Sequence, residues 1–245
     1  MFPKLIMICV LYLTFFASYA QADPFKIPEK FVYDLTWTGI SAGTATLELV
    51  NDGEKMKIVS TARSADWVSV FYTVEDRVES ILTKNNPFNS WAQPVNYRIK
   101  TREGKHRKNK EVIFDSDKNR VIFIDHLKNE RKAFDLPSPA FDALSSFYYV
   151  RTLKLNVGKT VYVTVFDSKK VWNVEVQVLR KEKVTLSSGT FNTVVIKPLM
   201  KSEGIFSRKG DIFIWLTDDP KHIPVKMQTK AAVGSIIATL VRGNY

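Results

Sequence analysis

From Phe31 to Thr38 (FVYDLTWT) successive side chains divide cleanly, with Phe31, Tyr33, Leu35 and Trp37 on one face and Val32, Asp34, Thr36 and Thr38 on the other. That period of two is the signature of a half-buried strand. After a turn over 39–43 the alternation resumes in Ala45, Leu47 and Leu49. It continues in Met56, Ile58, Ser60 and Ala62 beyond Asn51-Asp52-Gly53, a hairpin turn whose residues tolerate positive φ. The stretch 66–72 (DWVSVFY) fits a short helix or a kinked connection. The next segment, 73–82, puts Val74, Asp76, Val78 and Ser80 on one face against Glu75, Arg77 and Glu79. Further strands are predicted over 95–101, 110–115, 120–125, 160–166, 171–180, 183–186, 191–199, 211–217, 225–230 and 235–241. Turn signals every ~8–12 residues are those of an antiparallel sandwich or barrel.

The period changes once, in SPAFDALSSFYYVRTL at 138–153. Ser138 suits a helix cap, Pro139 the first helical position, and Asp142 the positive helix end. Phe141, Leu144, Tyr148 and Thr152 recur at helical spacing, with Ala140, Phe147 and Arg151 beside them. A helix of ~15 residues is ~22 Å long, enough to cross the face of a sheet. The fold expected is mainly β: a single curled antiparallel sheet, partial barrel or sandwich, with one central helix near residues 138–153. Such a half-barrel encloses either a filled core or an apolar groove.

The N-terminus adds a location. Lys4, the apolar run Leu5 to Phe16 and the small-x-small end Ala20-Gln21-Ala22 form a secretory signal peptide. Residues 1–22 are therefore expected to be removed after Ala22, leaving 23–245 as one antiparallel β domain in the periplasm. The only cysteine, Cys9, falls inside that signal. The remainder then has no disulfide, thiolate metal site or cysteine nucleophile. Losing Lys4 lowers the formal charge by one from +11. This positive balance favours phospholipid headgroups, lipopolysaccharide and acidic glycans. The densest basic cluster, Arg98 to Lys110 (RIKTREGKHRKNK), reads as the solvated turn of a long hairpin or as a docking tip for an anionic membrane surface. No aromatic residues interleave it, so nucleic acid is not an expected partner.

Catalytic constellations are harder to find. His106, His126 and His222 sit in no H-E-x-x-H spacing, no G-x-S-x-G is present, and Gly39 to Gly43 joins two strands rather than opening a helix. No metal and no cofactor are expected. Among the carboxylates, Asp142 has a role at the helix start, Asp218 and Asp219 form a turn before Pro220, and Asp34 shares a strand face with polar neighbours. Asp76 is different: its neighbours on the same face are apolar, so its pKa should rise unless it is paired. If Arg151 is buried, it needs a carboxylate, and Asp76 is the partner expected. The candidate binding set is Trp37, Asp76, Arg77, Tyr148, Arg151 and Trp215. It suits a non-catalytic binding or carrier-like protein for an envelope amphiphile, lipid or anionic glycan. One alternative is a carboxylate-dependent enzyme on cell-envelope polysaccharide, using Asp76 with Glu79 or Asp218. Another is an assembly factor acting through protein contacts.

Four separated blocks, Phe25 to Leu49, Val74 to Ser80, Phe141 to Lys159 and Ile214 to Leu240, resemble in order the exported bacterial family known as domain of unknown function 3108. The resemblance implies a periplasmic, mostly antiparallel β protein and transfers no catalytic residue. The architecture is also similar to half-barrel periplasmic lipoprotein carriers, whose concave sheet shelters acyl chains beneath helical lids.

Overall fold

The computed structural model describes residues 25–84, 92–136, 139–199, 211–230 and 234–244; the predicted signal peptide, Ser138, the turn at 85–90, Gly204 and Gly210 lie outside them. The alternating segments form β1 (Glu29–Trp37), β2 (Ile40–Asp52), β3 (Lys55–Ser64), β4 (Val74–Thr83), β5 (Gln93–Glu103), β6 (His106–Asp115), β7 (Arg120–Asp125) and β8 (Glu130–Asp135). The second half contributes β9 (Thr160–Asp167), β10 (Lys170–Leu186), β11 (Gly189–Leu199), β12 (Ile212–Thr217), β13 (Pro224–Lys230) and β14 (Ser235–Asn244). Two short helices complete the described elements: α1 (Asp66–Ser69), between β3 and β4, and α2 (Ala143–Arg151), between β8 and β9.

All fourteen strands join one antiparallel sheet in the order β8-β7-β6-β5-β4-β3-β2-β1-β14-β13-β12-β11-β10-β9. It consists of two meanders fused where β1 pairs with β14, so β8 and β9 are left as the two edges. The sheet curls until these edges face each other without closing into a barrel. Phe166 of β9 packs against Phe134 of β8 and Phe114 of β6, and Lys169 reaches Glu130 at 2.7 Å. The segment leading from β8 to β9 carries α2, which packs against β4 and β9.

The helix is shorter than the periodicity predicts. Phe141 is taken by β9 instead: its N–H donates to Thr164 O at 2.9 Å and its carbonyl accepts from Phe166 N at 2.8 Å. The N-cap consequently falls on Asp142, whose carboxylate accepts the N–H groups of Leu144 and Ser145, both at 2.9 Å. The same carboxylate accepts Ser80 Oγ of β4 at 2.6 Å and is fully buried. Burial pushes its pKa up, against these hydrogen bonds.

At the other end Arg151 is enclosed completely and forks onto Glu29 of β1, Nη1 to Oε2 and Nη2 to Oε1, each at 2.8 Å. Nε donates to His222 O at 3.0 Å and Nη2 also to Lys221 O at 3.2 Å, and Phe25, Phe31 and Tyr148 present ring faces to the guanidinium. The expected pair with Asp76 does not form. Nine helical residues span only ~13 Å, and the helix runs from Ser80 on β4 toward β1, away from the end of β4 that carries Asp76. An anion at the N-terminus and a cation at the C-terminus both suit the helix dipole.

Two further expectations change. The segments 171–180 and 183–186 are one strand, β10, with a register shift between Val178 and Arg180. The strand β8 (ERKAFD) lacks an apolar period because it is a charged, exposed edge.

Removing one partner of a desolvated ion pair strands the other. Arg151→Ala is expected to lower the urea-unfolding free energy by ~3–5 kcal/mol. The double change Glu29→Met with Arg151→Met should lose clearly less, as followed by far-ultraviolet circular dichroism.

Candidate binding site

The inner faces of the curled sheet do not fill the space they enclose. Between them lies a cavity of about 410 Å³. Tyr33, Leu35, Ala45, Leu47, Ala62, Val78 and Tyr97 wall one side; Val163, Val165, Val174, Val176, Ile196, Ile214 and Ala238 wall the other. Alternation fixes these sets, since Ala45, Leu47, Ser60 and Ala62 share one face of the β2–β3 pair. Helix α2 contributes Ala143, Leu144, Phe147 and Val150. The polar lining comes only from Thr46, Ser60, Ser146, Gln228 and Thr229, together with the two tyrosines, and includes no charged side chain.

The cavity has a closed floor and an open mouth. At the floor Tyr33 is 1% exposed and donates its hydroxyl to Pro224 O at 2.9 Å. Beneath it lie Tyr148 and the Arg151–Glu29 pair, with Phe25 edge-on to Tyr148 at 5.3 Å. At the other end Ile236 also lines the cavity, yet is 41% exposed. The mouth therefore lies toward the β1–β2 turn, because Ile236 pairs with Trp37 at the end of β1.

The predicted site residues are scattered across this frame. Tyr148 and Arg151 are brought together, but as the floor rather than the lining. Trp37 stands at the mouth, partly exposed. Asp76 is beyond Val78 on the cavity-facing side of β4, opposite Ala62, and accepts the Arg102 N–H at 3.1 Å. Arg77 and Glu79 point to the other face and pair with each other. Trp215 is buried on the face of β12 opposite Ile214, where Lys226 covers its ring at 4.3 Å and Glu182 accepts its indole N–H. The long β10–β11 hairpin crosses that face to reach β14, with Ser188 Oγ donating to Leu240 O at 2.6 Å. Asp218 is on the outside, held by Lys181 at 2.7 Å.

The three carboxylates proposed for catalysis thus do not converge on one cleft. Among the described residues, no cluster of three or more His, Cys, Asp or Glu side chains is arranged to hold a metal. What sequence reasoning missed is Glu29. It lies in phase with Phe31 and Tyr33, a carboxylate on an apolar strand face, which is the same signal that singled out Asp76.

One solved structure shares the architecture. A crystal structure of a β-barrel-like protein of domain of unknown function DUF1849 from Brucella abortus matches 89% of this chain and 97% of its own, at 13% identity and a TM-score of 0.56. That is a likeness of fold. A presumed lipoprotein from Parabacteroides distasonis (10% identity, 89% of this chain and 95% of that one, TM-score 0.36) is more remote. So is a presumed exported protein with a YmcC-like fold from Bacteroides fragilis (12% identity, 91% and 98%, TM-score 0.35). No protein of curated function matches. The family model described as "protein of unknown function (DUF3108)" matches residues 32–241, from the third strand residue after Glu29 almost to the end of β14, and the chain belongs to that family.

Proposed function

We propose that this is an exported, periplasmic, non-catalytic carrier that shelters the acyl chain of an envelope amphiphile inside the curled sheet. The observation that carries this reading is the uncharged, overwhelmingly aliphatic lining of a 410 Å³ cavity open at one end. Its size is that of small-molecule sites, ~300–1,000 Å³. A glycan would need a dense set of hydrogen-bond partners, and the lining offers a few hydroxyls and one amide. An acyl chain needs none, so the amphiphile is favoured over the sugar. Export rests on the N-terminal signal pattern, and the anionic character of the headgroup on the chain's positive charge.

Asp76 stands where such a headgroup would pass. Burial, and secondarily Glu103, push its carboxyl from 3.8 up to about 6, against the Arg102 N–H and Lys108. A raised folded pKa means that the native state holds the proton more tightly than the unfolded chain. The stabilisation from Asp76 is therefore full at about pH 4 and is lost as pH climbs to about 6. Asp76→Asn can keep the Arg102 hydrogen bond and should match the parent in thermal unfolding near pH 4. Near pH 7 it should melt higher than the parent.

Uptake itself is tested with cis-parinaric acid, a fluorescent fatty acid. The parent should bind it with a blue-shifted, enhanced signal. Ala45→Phe, which fills the cavity, should weaken binding by on the order of tenfold, as lost burial of two or more methylenes implies. Absence of binding to the parent, or no effect of the filled cavity, would overturn the reading.

A further inference from the structure

The mouth of the cavity carries exposed apolar and aromatic side chains. In the α1 segment, Val70 is 77% and Phe71 83% exposed, with Trp67 and Tyr72 nearly half exposed beside them. This segment is tied on both flanks. Trp67 Nε1 donates to Ser41 O at 3.1 Å, which joins it to the β1–β2 turn and its exposed Trp37 and Ile40. On the other flank Gly104 N donates to Thr73 O at 2.8 Å. A Cβ at Gly104 would lie 2.6 Å from the Tyr72 ring, so the tip of the β5–β6 hairpin is seated directly against the aromatic segment.

That tip is the basic cluster seen in the sequence. Arg102, Lys105, His106 and Arg107 are exposed there, and Arg107 is oriented by the carbonyls of Gly104 and His106 at 2.7 and 2.9 Å. The nearby acids are Asp66, Glu103, Asp76, which accepts the Arg102 N–H at 3.1 Å, and Glu75, paired with Arg63 at 3.5 Å. Protruding apolar tips, aromatic rings at their base and cations alongside are the chemistry of an anionic membrane interface. A second copy of the same face would bring like charges together.

We propose that this end of the protein docks on an anionic phospholipid bilayer, with Val70 and Phe71 entering the interface and the β5–β6 tip contacting phosphates. Docking sets the cavity mouth against the lipid, which deepens the carrier reading and rests on it for its purpose, though not for its test.

The test is co-sedimentation of the purified protein with phosphatidylcholine vesicles, with and without about a third phosphatidylglycerol. The protein should partition onto the anionic vesicles and release with salt. Val70→Ser with Phe71→Ser should reduce partitioning by on the order of tenfold or more. Lys105→Glu with Arg107→Glu should reduce it on anionic vesicles only. All these side chains are exposed, and both variants should keep the melting temperature and the parinaric acid binding of the parent. No association of the parent, or undiminished association of the Val70/Phe71 variant, overturns the proposal. So does a dimer in sedimentation velocity that this variant dissolves while vesicles bind neither protein. Loss of parinaric acid binding alone would sink the carrier reading and leave the docking result standing.

Discussion

The fold depends on a guanidinium that has no access to water. Each of the three guanidinium nitrogens of Arg151 donates, to both oxygens of Glu29 and to the carbonyls of Lys221 and His222, while aromatic rings enclose it. Charges withdrawn from water repay their desolvation only with such geometry, and breaking one half costs several kcal/mol. Set against a typical total of ~5–15 kcal/mol, losing one partner alone removes a large share of the native stability. It joins the end of α2 to the first strand and to the β12–β13 connection. Asp142 does the corresponding work at the start of the helix, through Ser80 of β4.

Pinning α2 at both ends explains why the sheet neither collapses nor closes. The helix packs against β4 and β9 and adds Leu144, Phe147 and Val150 to the lining of the chamber. The polar obligations of the interior are concentrated in the floor. The space above is lined by aliphatic side chains and can stay dry or accept an apolar guest. Toward the mouth the character reverses: Ile236, Trp37 and the α1 segment are exposed, and cations stand beside them. One end of the barrel is thus closed by charge and the other fringed by aromatic side chains.

Much of the architecture was legible because period two is a strong signal wherever one face is buried. Strands β1 to β7 and β9 to β14 follow their alternating stretches, and the single break in period marks α2. The parts that did not show have physical causes. Edge strand β8 carries charge to avoid pairing with another chain, which erases its pattern. The helix start moved because backbone hydrogen bonding to β9 outweighed a good cap and proline at 138–139. Periodicity says which face a residue occupies but not how far along the barrel it sits, so Asp76 was matched to Arg151 although they belong to opposite ends. Trp215 sits on a strand whose sequence reads as central, yet β12 is the fourth strand from the β9 edge and Trp215 occupies its convex side, covered by the β10–β11 hairpin. Glu29 carried the right signal and was passed over.

The account stands on α2 being fastened by buried charge over an aliphatic chamber that receives an acyl chain from the Ile236 end. Methyl NMR of the protein, titrated with a saturated fatty acid, addresses this most directly. Shifts and intermolecular contacts confined to Leu144, Val176, Ile196 and Ile214, with Val195 on the convex face unmoved, are the predicted result. Contacts at Val195 and the β10–β11 hairpin, or no response of the chamber methyls at saturating ligand, would contradict it.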